Sequence, residues 1–410
     1  MVSFGNPRTD VQEYEYWLSD RVDRIKADAT DKRSEFTSHH ERATILKALV
    51  IGGTGPTGHF IVNGLVRRGY HVAMLHTGRH ELDEIPPSVE HIHTDPFSEE
   101  ALRNALGNRT FDLTIAAYGR LRRIAEIMVG RTGRFISIGG VPAYRGYMNP
   151  TVLHLQGLPV PTPEDADVVP IENEDPKGWR VAQTEAAVFR HHPDAVHFRY
   201  PFLYGPYQIA PREWCVVRRI IDGRKTIILP EDGLSLNHSA YVENAAHAVL
   251  LGVDNPAAAN GQIYNCGDER LLTLRQAVEI IAESLGERLE IVSMPWQFAI
   301  PARPMMAQPW NTHRVFDLTK IKMQLGYADV MSPERGLALT AGWLREHPLE
   351  RGGGDEKILQ DPFDYRAEDE LIAAWKSLCE KMPRVTFLKE PGFTATYSGP
   401  GGKSRTSSWL

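Results

Sequence analysis

One heptapeptide constrains this chain more than anything else in it: Gly52-Gly53-Thr54-Gly55-Pro56-Thr57-Gly58, set between an apolar run, Ile45 to Ile51, and an amphipathic run, His59 to Arg68. The first run reads as a buried strand and the second as the helix that follows it. A glycine-rich turn from strand to helix fits the start of a βαβ unit that holds a dinucleotide. Gly52 allows the tight turn, Gly55 lets backbone approach a pyrophosphate, and Gly58 permits the helix to pack closely on the strand. Thr54, Pro56 and Thr57 complete the loop, and the helix N-terminus faces the phosphates. The spacing, G-x-x-G-x-x-G, is tighter at the front than G-x-G-x-x-G. Glycine clusters also mark plain turns, but further strands at His71 to Leu75 and around Val89 to His93 supply the context that a plain turn lacks.

Strands and helices alternate from Ile45 to about Ile138, which argues for a parallel sheet with helices on both faces. Asp112 to Tyr118 reads as the fourth strand, Arg134 to Ile138 as the fifth, Ala182 to Phe189 as a helix and Val196 to Tyr200 as a strand. Beyond Tyr204-Gly205-Pro206 the texture changes to a helix, Trp214 to Ile221, a strand, Thr226 to Leu229, and a polar loop, Glu231 to His238. Thr273 and Gln276 form a capping box for a helix whose apolar face is Leu274, Ala277, Val278, Ile281 and Leu285, stopped by Gly286.

The domain boundaries expected are therefore 1–43, a charged N-terminal extension; 44–205, a dinucleotide-binding domain; 206–348, a substrate-binding region interleaved with the sheet; and 349–410, a C-terminal extension. In the first, Tyr14, Tyr16, Trp17, Val22 and Ile25 space out as an amphipathic helix. The last opens on a flexible link, Arg351-Gly352-Gly353-Gly354-Asp355, and ends in a mobile tail from Ser398. Between them Ala367 to Lys381 reads as a helix with Leu371, Ile372, Trp375 and Leu378 on its apolar face.

With 42% hydrophobic residues in 410, the chain can bury one large core or two smaller ones. A net charge of -6 gives no overall basic field, so nucleic acid and anionic membranes are not expected partners. Cys215, Cys266 and Cys379 are widely separated and too few for a disulfide framework, which points to a reducing compartment. The N-terminus has no secretory pattern and the chain no bilayer-length apolar run, so the expected location is the cytoplasm.

Further motifs follow in order. Ala116-Ala117-Tyr118 ends the fourth strand, and Arg199-Tyr200-Pro201-Phe202-Leu203-Tyr204-Gly205-Pro206 gives Arg-x-x-x-x-Tyr-Gly-Pro. His238 to Ala245 is similar to a His-Val-x-Asp-x-Ala element with Asn244 in place of Asp, and Tyr264-Asn265-Cys266-Gly267 to Tyr-Asn-x-Gly. Together these resemble the extended and atypical short-chain dehydrogenase/reductase superfamily, in its NAD-dependent epimerase/dehydratase branch, over roughly Lys47 to His347. The resemblance implies an α/β fold, a Rossmann-type doubly wound parallel sheet with a smaller, mixed α/β C-terminal substrate-binding region. It implies an NAD(P)-dependent oxidoreductase or epimerase acting on a small polar or carbonyl-bearing metabolite, with homodimerisation through helices of the first domain.

The catalytic set of that family, Ser-Tyr-Lys, is where the chain departs. An unassisted phenol titrates near pKa ~10, and the family's lysine lowers it for proton exchange. Here the fifth strand runs Phe135-Ile136-Ser137-Ile138-Gly139-Gly140, with glycines where the serine is expected and Ser137 facing away. The Tyr-x-x-x-Lys-x-x-x-Glu helix corresponds to Lys177 through Val181 to Glu185, so Lys177 stands for tyrosine and Val181 for lysine. Atypical branches share this loss, and a chloroplast stem-loop RNA-binding group is similar in Pro211 to Arg224 and around Asn265. Two alternatives stay open: a non-catalytic dinucleotide-sensing or RNA-associated protein, and a non-redox lyase or isomerase.

The candidate residues follow. Tyr144, on the loop after the fifth strand, is a proton donor or, with Tyr147, a packing aromatic. Lys177 is an acid/base if Arg180 depresses its pKa, or a solvated partner of Glu172, Glu174 and Asp175. Thr77 and Arg79 follow the second strand where the adenosine ribose lies; with no acidic residue before Glu81 they favour the 2′-phosphate of NADP over NAD. Asp95 resembles the adenine contact and Ala117 the cofactor contact after the fourth strand. Tyr204, Arg212, Trp214 and Arg303 are the substrate-binding candidates, with His313 in a later loop. Arg218, Arg219, Arg224 and Lys225 read as a solvated basic run. His91 and His93 share a strand face, but without a third nearby ligand they make no metal site, and none is expected.

Overall fold

The structure, a computed structural model, describes residues 45–79, 81–117, 120–389 and 391. The expected helix around Tyr14 to Ile25, Tyr118 at the end of the fourth strand, and the tail from Ser398 lie outside the described residues.

Among the described residues eleven strands form: β1 (Lys47–Ile51), β2 (His71–His76), β3 (Glu90–His93), β4 (Phe111–Ala116), β5 (Thr132–Gly140), β6 (Val196–Tyr200), β7 (Phe202–Tyr204), β8 (Thr226–Pro230), β9 (Ser239–Tyr241), β10 (Ile263–Asn265) and β11 (Glu290–Met294). Seven make one parallel sheet in the order β10-β6-β5-β4-β1-β2-β3. The chain reverses direction of travel between β1 and β4, the point at which a doubly wound sheet opens a crevice for ligands.

The apolar runs dictate this. Ala48 and Val50 of β1 enter one buried cluster and Leu49 and Ile51 the other, so alternation along the strand feeds both sheet faces. The first face is covered by α1 (Gly58–Arg67), through Ile61, Val62 and Leu65, and by α6 (Val242–Asp254), through Ala246, Val249 and Leu250. The second is covered by α2 (Glu99–Leu106), α3 (Leu121–Ile127) and α4 (Pro176–His191), through Leu106, Ile124 and Val188. A third cluster gathers α5 (Trp214–Ile221), α7 (Leu274–Ser284) and α8 (Pro333–Glu346) around Trp214, Ile281 and Leu344. The capping box forms as read: Gln276 N–H donates to Thr273 Oγ1 over 3.1 Å, and Thr273 N–H to Gln276 Oε1 over 2.9 Å.

Four expectations are corrected. α4 starts six residues before Ala182, because Asp175 caps it by accepting from Lys177 N and Gly178 N and Pro176 occupies the first turn. The glycine-rich stretch at 351–355 is not a free link: it turns into a helix, Gly354–Ile358, whose buried Glu356 accepts from Trp214 Nε1 over 2.9 Å. Leu378 stays 54% exposed on α9 (Tyr365–Glu380), while Leu371, Ile372 and Trp375 pack beside Ile228 and Met294. The basic run is no solvated face, since Arg219 is 1% exposed and bonded to Asp361 and Glu368. Among the described residues no helix is long and apolar enough to cross a membrane.

Candidate active site

The glycine turn sits where β1 ends and α1 begins, and its geometry explains its composition. Gly52 has φ +92°, a left-handed backbone that favours glycine. A Cβ on Gly58 would lie 2.2 Å from the Gly53 carbonyl oxygen, so α1 approaches the turn only because that position is bare. Gly52 N–H donates to Leu75 O over 3.1 Å, tying the turn to the end of β2. The first-turn N–H groups of α1 have no carbonyls to reach within the helix and face outward with the positive end of its dipole.

A cleft of about 820 Å³ opens in front of the turn. Gly52, Gly55, Pro56, Thr57 and Ala117 floor it, while Arg120, Arg122, Arg123, Lys177 and Arg180 line its walls. Among the described residues no carboxylate lines it. Arg123 is paired with Glu126 at 2.9 Å, but Arg120, Arg122, Lys177 and Arg180 have no ion-pair partner among the described residues. Arg122 is aimed by Thr184 Oγ1, which accepts from its Nε over 3.1 Å. Sequence reasoning passed over Arg120, Arg122 and Arg123, although three arginines in four positions soon after the fourth strand are a visible signal.

α4 brings Lys177 and Val181 to the same wall, four residues apart on one helical face. Lys177 is exposed, and neither Glu174 nor Asp175 neutralises it: Glu174 is held bidentately by Arg145 at 2.8 Å, and Asp175 caps the helix. Glu185, two turns on, accepts two bonds from Arg199 at 2.8 and 2.7 Å; burial opposes its ionisation, but those bonds hold it below the usual carboxylate range.

Behind the cleft wall Ser137 Oγ lies 2.7 Å from His197 Nδ1, and His197 Nε2 lies 3.3 Å from Glu185 Oε2 without the alignment of a hydrogen bond. Burial drives the His197 ring down to about 4, outweighing the attraction of Glu185, so the ring is neutral near pH 7. Ser137 is 0% exposed and is not a nucleophile for anything in the cleft. Its place in front is taken by Gly139, where a Cβ would meet His197 Nε2 at 2.4 Å.

Tyr144 does not reach this cleft. It is 0% exposed, its hydroxyl donates to Asn265 Oδ1 over 2.6 Å, and its ring stacks on Phe316 under the Arg199 guanidinium. Burial pushes its phenol up to about 12. Tyr147 packs on the same Phe316, so the packing reading describes both rings.

A second, smaller cavity of about 110 Å³ shares Leu203 as a lining residue with the first and is also lined by Tyr204 and Arg212. Arg212 Nε, Glu213 Oε2, Asn237 Oδ1 and Gln308 Oε1 are all buried on its walls without a hydrogen-bond partner among the described residues. Buried polar atoms are ordinarily satisfied, and four orphans around one cavity describe a surface built for a polar guest. Burial raises the Glu213 carboxyl to about 7. Of these only Arg212 was a sequence candidate. Tyr204 lines the cavity with its hydroxyl engaged, donating to Asp268 Oδ2 over 2.6 Å. Trp214 is 1% exposed in the core with its N–H on Glu356, and so lines neither space. Arg303 lines a separate groove of about 650 Å³ shared with Arg212 and Gln308. His313 accepts a backbone bond from Leu236 N.

The substitution at Asn244 has a local reason. Its amide donates to Asp268 Oδ1 over 2.8 Å while its oxygen accepts from Val330 N and Met331 N, a double duty that an aspartate cannot perform. Thr77 and Arg79 are exposed past the end of β2. Asp95 Oδ1 accepts from Phe97 N over 2.9 Å in a turn. The expectation that His91 and His93 have no third ligand nearby is corrected: His76 and Glu81 join them within 4.8 Å.

No protein-family model matches the chain. It is 30% identical over 141 residues to Uncharacterized protein YbjS of Escherichia coli (strain K12), which covers 30% of this chain and 42% of that protein. The matches span between 21% and 42% of the length of the first curated relatives. UDP-glucose 4-epimerase from Thermotoga maritima, solved with UDP-glucose, superposes with a TM-score of 0.58 at 20% identity, over 74% of this chain and 99% of that one. UDP-glucuronic acid 4-epimerase from Bacillus cereus, solved with UDP-glucuronic acid and NAD, superposes with a TM-score of 0.56 at 15% identity, over 74% and 100%. These likenesses establish the Rossmann-like fold of the NAD-dependent epimerase and dehydratase structures, the fold that the motifs implied.

Proposed function

We propose that the chain is an atypical NAD(P)-dependent enzyme of the extended short-chain dehydrogenase/reductase type, an epimerase or oxidoreductase whose substrate is a polar, anionic metabolite of the sugar-nucleotide class. One observation carries the reading: the glycine turn opens on a cleft lined by cations, with no carboxylate among the described residues of its lining. Such a cleft attracts a pyrophosphate, and the bare Gly55, whose missing Cβ would meet only Gly52 O at 3.5 Å, leaves room for one. The relatives solved with UDP-sugars and NAD support the substrate class and the cofactor.

In this reading Gly52 to Gly58 and the N-terminus of α1 hold the pyrophosphate, and Ala117 flanks the nicotinamide half. Thr77 and Arg79 meet the ribose, with a 2′-phosphate favoured, and Asp95 meets adenine. The bound dinucleotide supplies hydride chemistry, which the protein positions. Lys177, exposed on the cleft wall at the position of the family's tyrosine, holds its ammonium against the substrate oxygen and exchanges the proton there. The small cavity takes the polar remainder of the substrate on Arg212, Glu213, Asn237 and Gln308.

The test is calorimetric titration of cofactor-stripped protein with NAD+, NADH, NADP+ and NADPH. Micromolar or tighter binding of at least one, stronger for the 2′-phosphorylated pair, is expected; no binding of any of the four removes the proposal. A second reading has an observation of its own: glycine, lysine and valine at the three family catalytic positions favour a dinucleotide-binding protein that does not turn over. Cofactor that binds but is never oxidised or reduced across a panel of UDP-sugars, with no epimerised product, selects it. Within the stretch that is similar to the RNA-binding group, Arg218, Arg219 and Arg224 are engaged by ion pairs within the chain, which weighs against the RNA reading.

A further inference from the structure

β3 is the outer strand of the large sheet and only four residues long, so a single backbone ladder to β2 anchors it. The register of that ladder sets His76 opposite His93 and Met74 opposite His91. Side chains alternate along a strand, so His76, His91 and His93 share one face while Ile92 enters the core on the other. The connection after β2 carries Glu81 back over the same three rings. His91 Nδ1 lies 3.1 Å from His76 Nε2 and 3.1 Å from Glu81 Oε2; His93 Nε2 lies 3.0 Å, and His76 Nε2 3.8 Å, from Glu81 Oε1.

Those separations match a coordination shell. Ligand atoms about 2.0–2.2 Å from a tetrahedral ion sit roughly 3.3–3.6 Å from one another. Protons alone do not reconcile the contacts. Gly78 N–H donates to His76 Nδ1 over 3.2 Å, which puts the ring proton on Nε2, facing His91 Nδ1. That lone pair then faces the Glu81 carboxylate as well, and His91 Nδ1 cannot accept from one neighbour while donating to the other. A cation between the four groups satisfies all of them, with His76 exchanging its long bond from Gly78 for a metal bond.

We propose that His76, Glu81, His91 and His93 bind one divalent transition-metal ion, zinc by donor preference. Three imidazoles and one carboxylate suit zinc, cobalt, nickel or copper, whereas magnesium and calcium need an oxygen shell. The ion fastens the loop after β2 to the edge strand. His76 is buried, but the Glu81 and His93 side chains are 51% and 55% exposed, so the ion enters from solvent. The site stands whether or not the cleft binds a dinucleotide. Because Thr77 to Arg79 lie between the ligands His76 and Glu81, the ion also stiffens that stretch.

The experiment is titration of tag-free, chelator-treated full-length protein with Zn²⁺, Co²⁺ and Mg²⁺, compared with His91→Ala/His93→Ala and with Glu81→Gln. One equivalent of Zn²⁺ raises the melting temperature, Co²⁺ gives the intense visible absorption of a four-coordinate ion, and Mg²⁺ does neither. Affinity falls at least about hundredfold in the double variant. If that variant does not fold, Glu81→Gln alone decides, through weaker zinc binding and an altered cobalt spectrum. Zinc binding as tight in the variants as in the parent, or none in the parent, overturns the proposal.

Discussion

Two arginine-rich segments of this chain are treated in opposite ways by the fold. After β4, Arg120 and Arg122 stand with Lys177 and Arg180 around an open cleft and meet no carboxylate among the described residues. Along and after α5, Arg218 meets the nearby Asp222 and also Glu356, Arg219 meets Asp361 and Glu368, and Arg224 meets Asp369, so that all but Asp222 come from the C-terminal segment. The two segments look alike as charge runs and differ only in what the distant chain brings to them. Charge that the fold buries and pairs holds the fold together; charge that it leaves around a cavity without a counter-ion is set for a ligand.

Arg219→Ala is the hardest blow to that contrast. Its removal strands Asp361 and Glu368, both buried, and breaking a buried pair costs about 3–5 kcal/mol. Urea unfolding reads it, and a loss under about 1 kcal/mol would mean the C-terminal segment is not clamped here. Lys177→Ala attacks the other side. Turnover falls by roughly 10²–10⁴ if the ammonium carries the proton, with dinucleotide affinity and unfolding midpoint nearly unchanged; full activity removes Lys177 from the chemistry. Arg122→Ala is milder. The guanidinium is solvent-facing, so dinucleotide affinity drops by about tenfold, more at low salt than at high. Stability stays within about 0.5 kcal/mol, and a large stability loss would place Arg122 with the structural arginines instead.

The same contrast marks what was readable in the sequence. The glycine turn, the β6 strand, α5 and the capping box are local patterns, so the chain declares them without its tertiary partners. The destiny of a charged or polar side chain is decided elsewhere. Arg219 looked solvated because Asp361 and Glu368 lie more than a hundred positions away, and Tyr144 looked like the edge of the cleft because Asn265, which draws it inward, is 121 positions on. His91 and His93 announced their shared face, but His76 joins them only through the β2–β3 register and Glu81 only through the path of a loop. The orphaned groups of the small cavity had no local signal, since an unsatisfied atom is a property of its surroundings.

The last effect shows only on acidification and separates burial from pairing within the cleft half itself. His197 lies behind the cations, neutral, beside the Glu185–Arg199 pair, its pKa lowered to about 4 chiefly by burial. Between pH 6.5 and 4 the unfolded chain binds a proton at this ring that the folded chain refuses. Its contribution, full above pH 6.5, is therefore lost as the pH falls toward 4, at about 1.4 kcal/mol per pH unit. His197→Gln carries no such proton, so the pH dependence of its unfolding free energy is shallower than the parent's by that slope. Should the two slopes coincide, Glu185 stabilises the imidazolium enough to cancel burial. The cleft half would then hold a charged histidine under its arginines, and its positive field would grow on acidification.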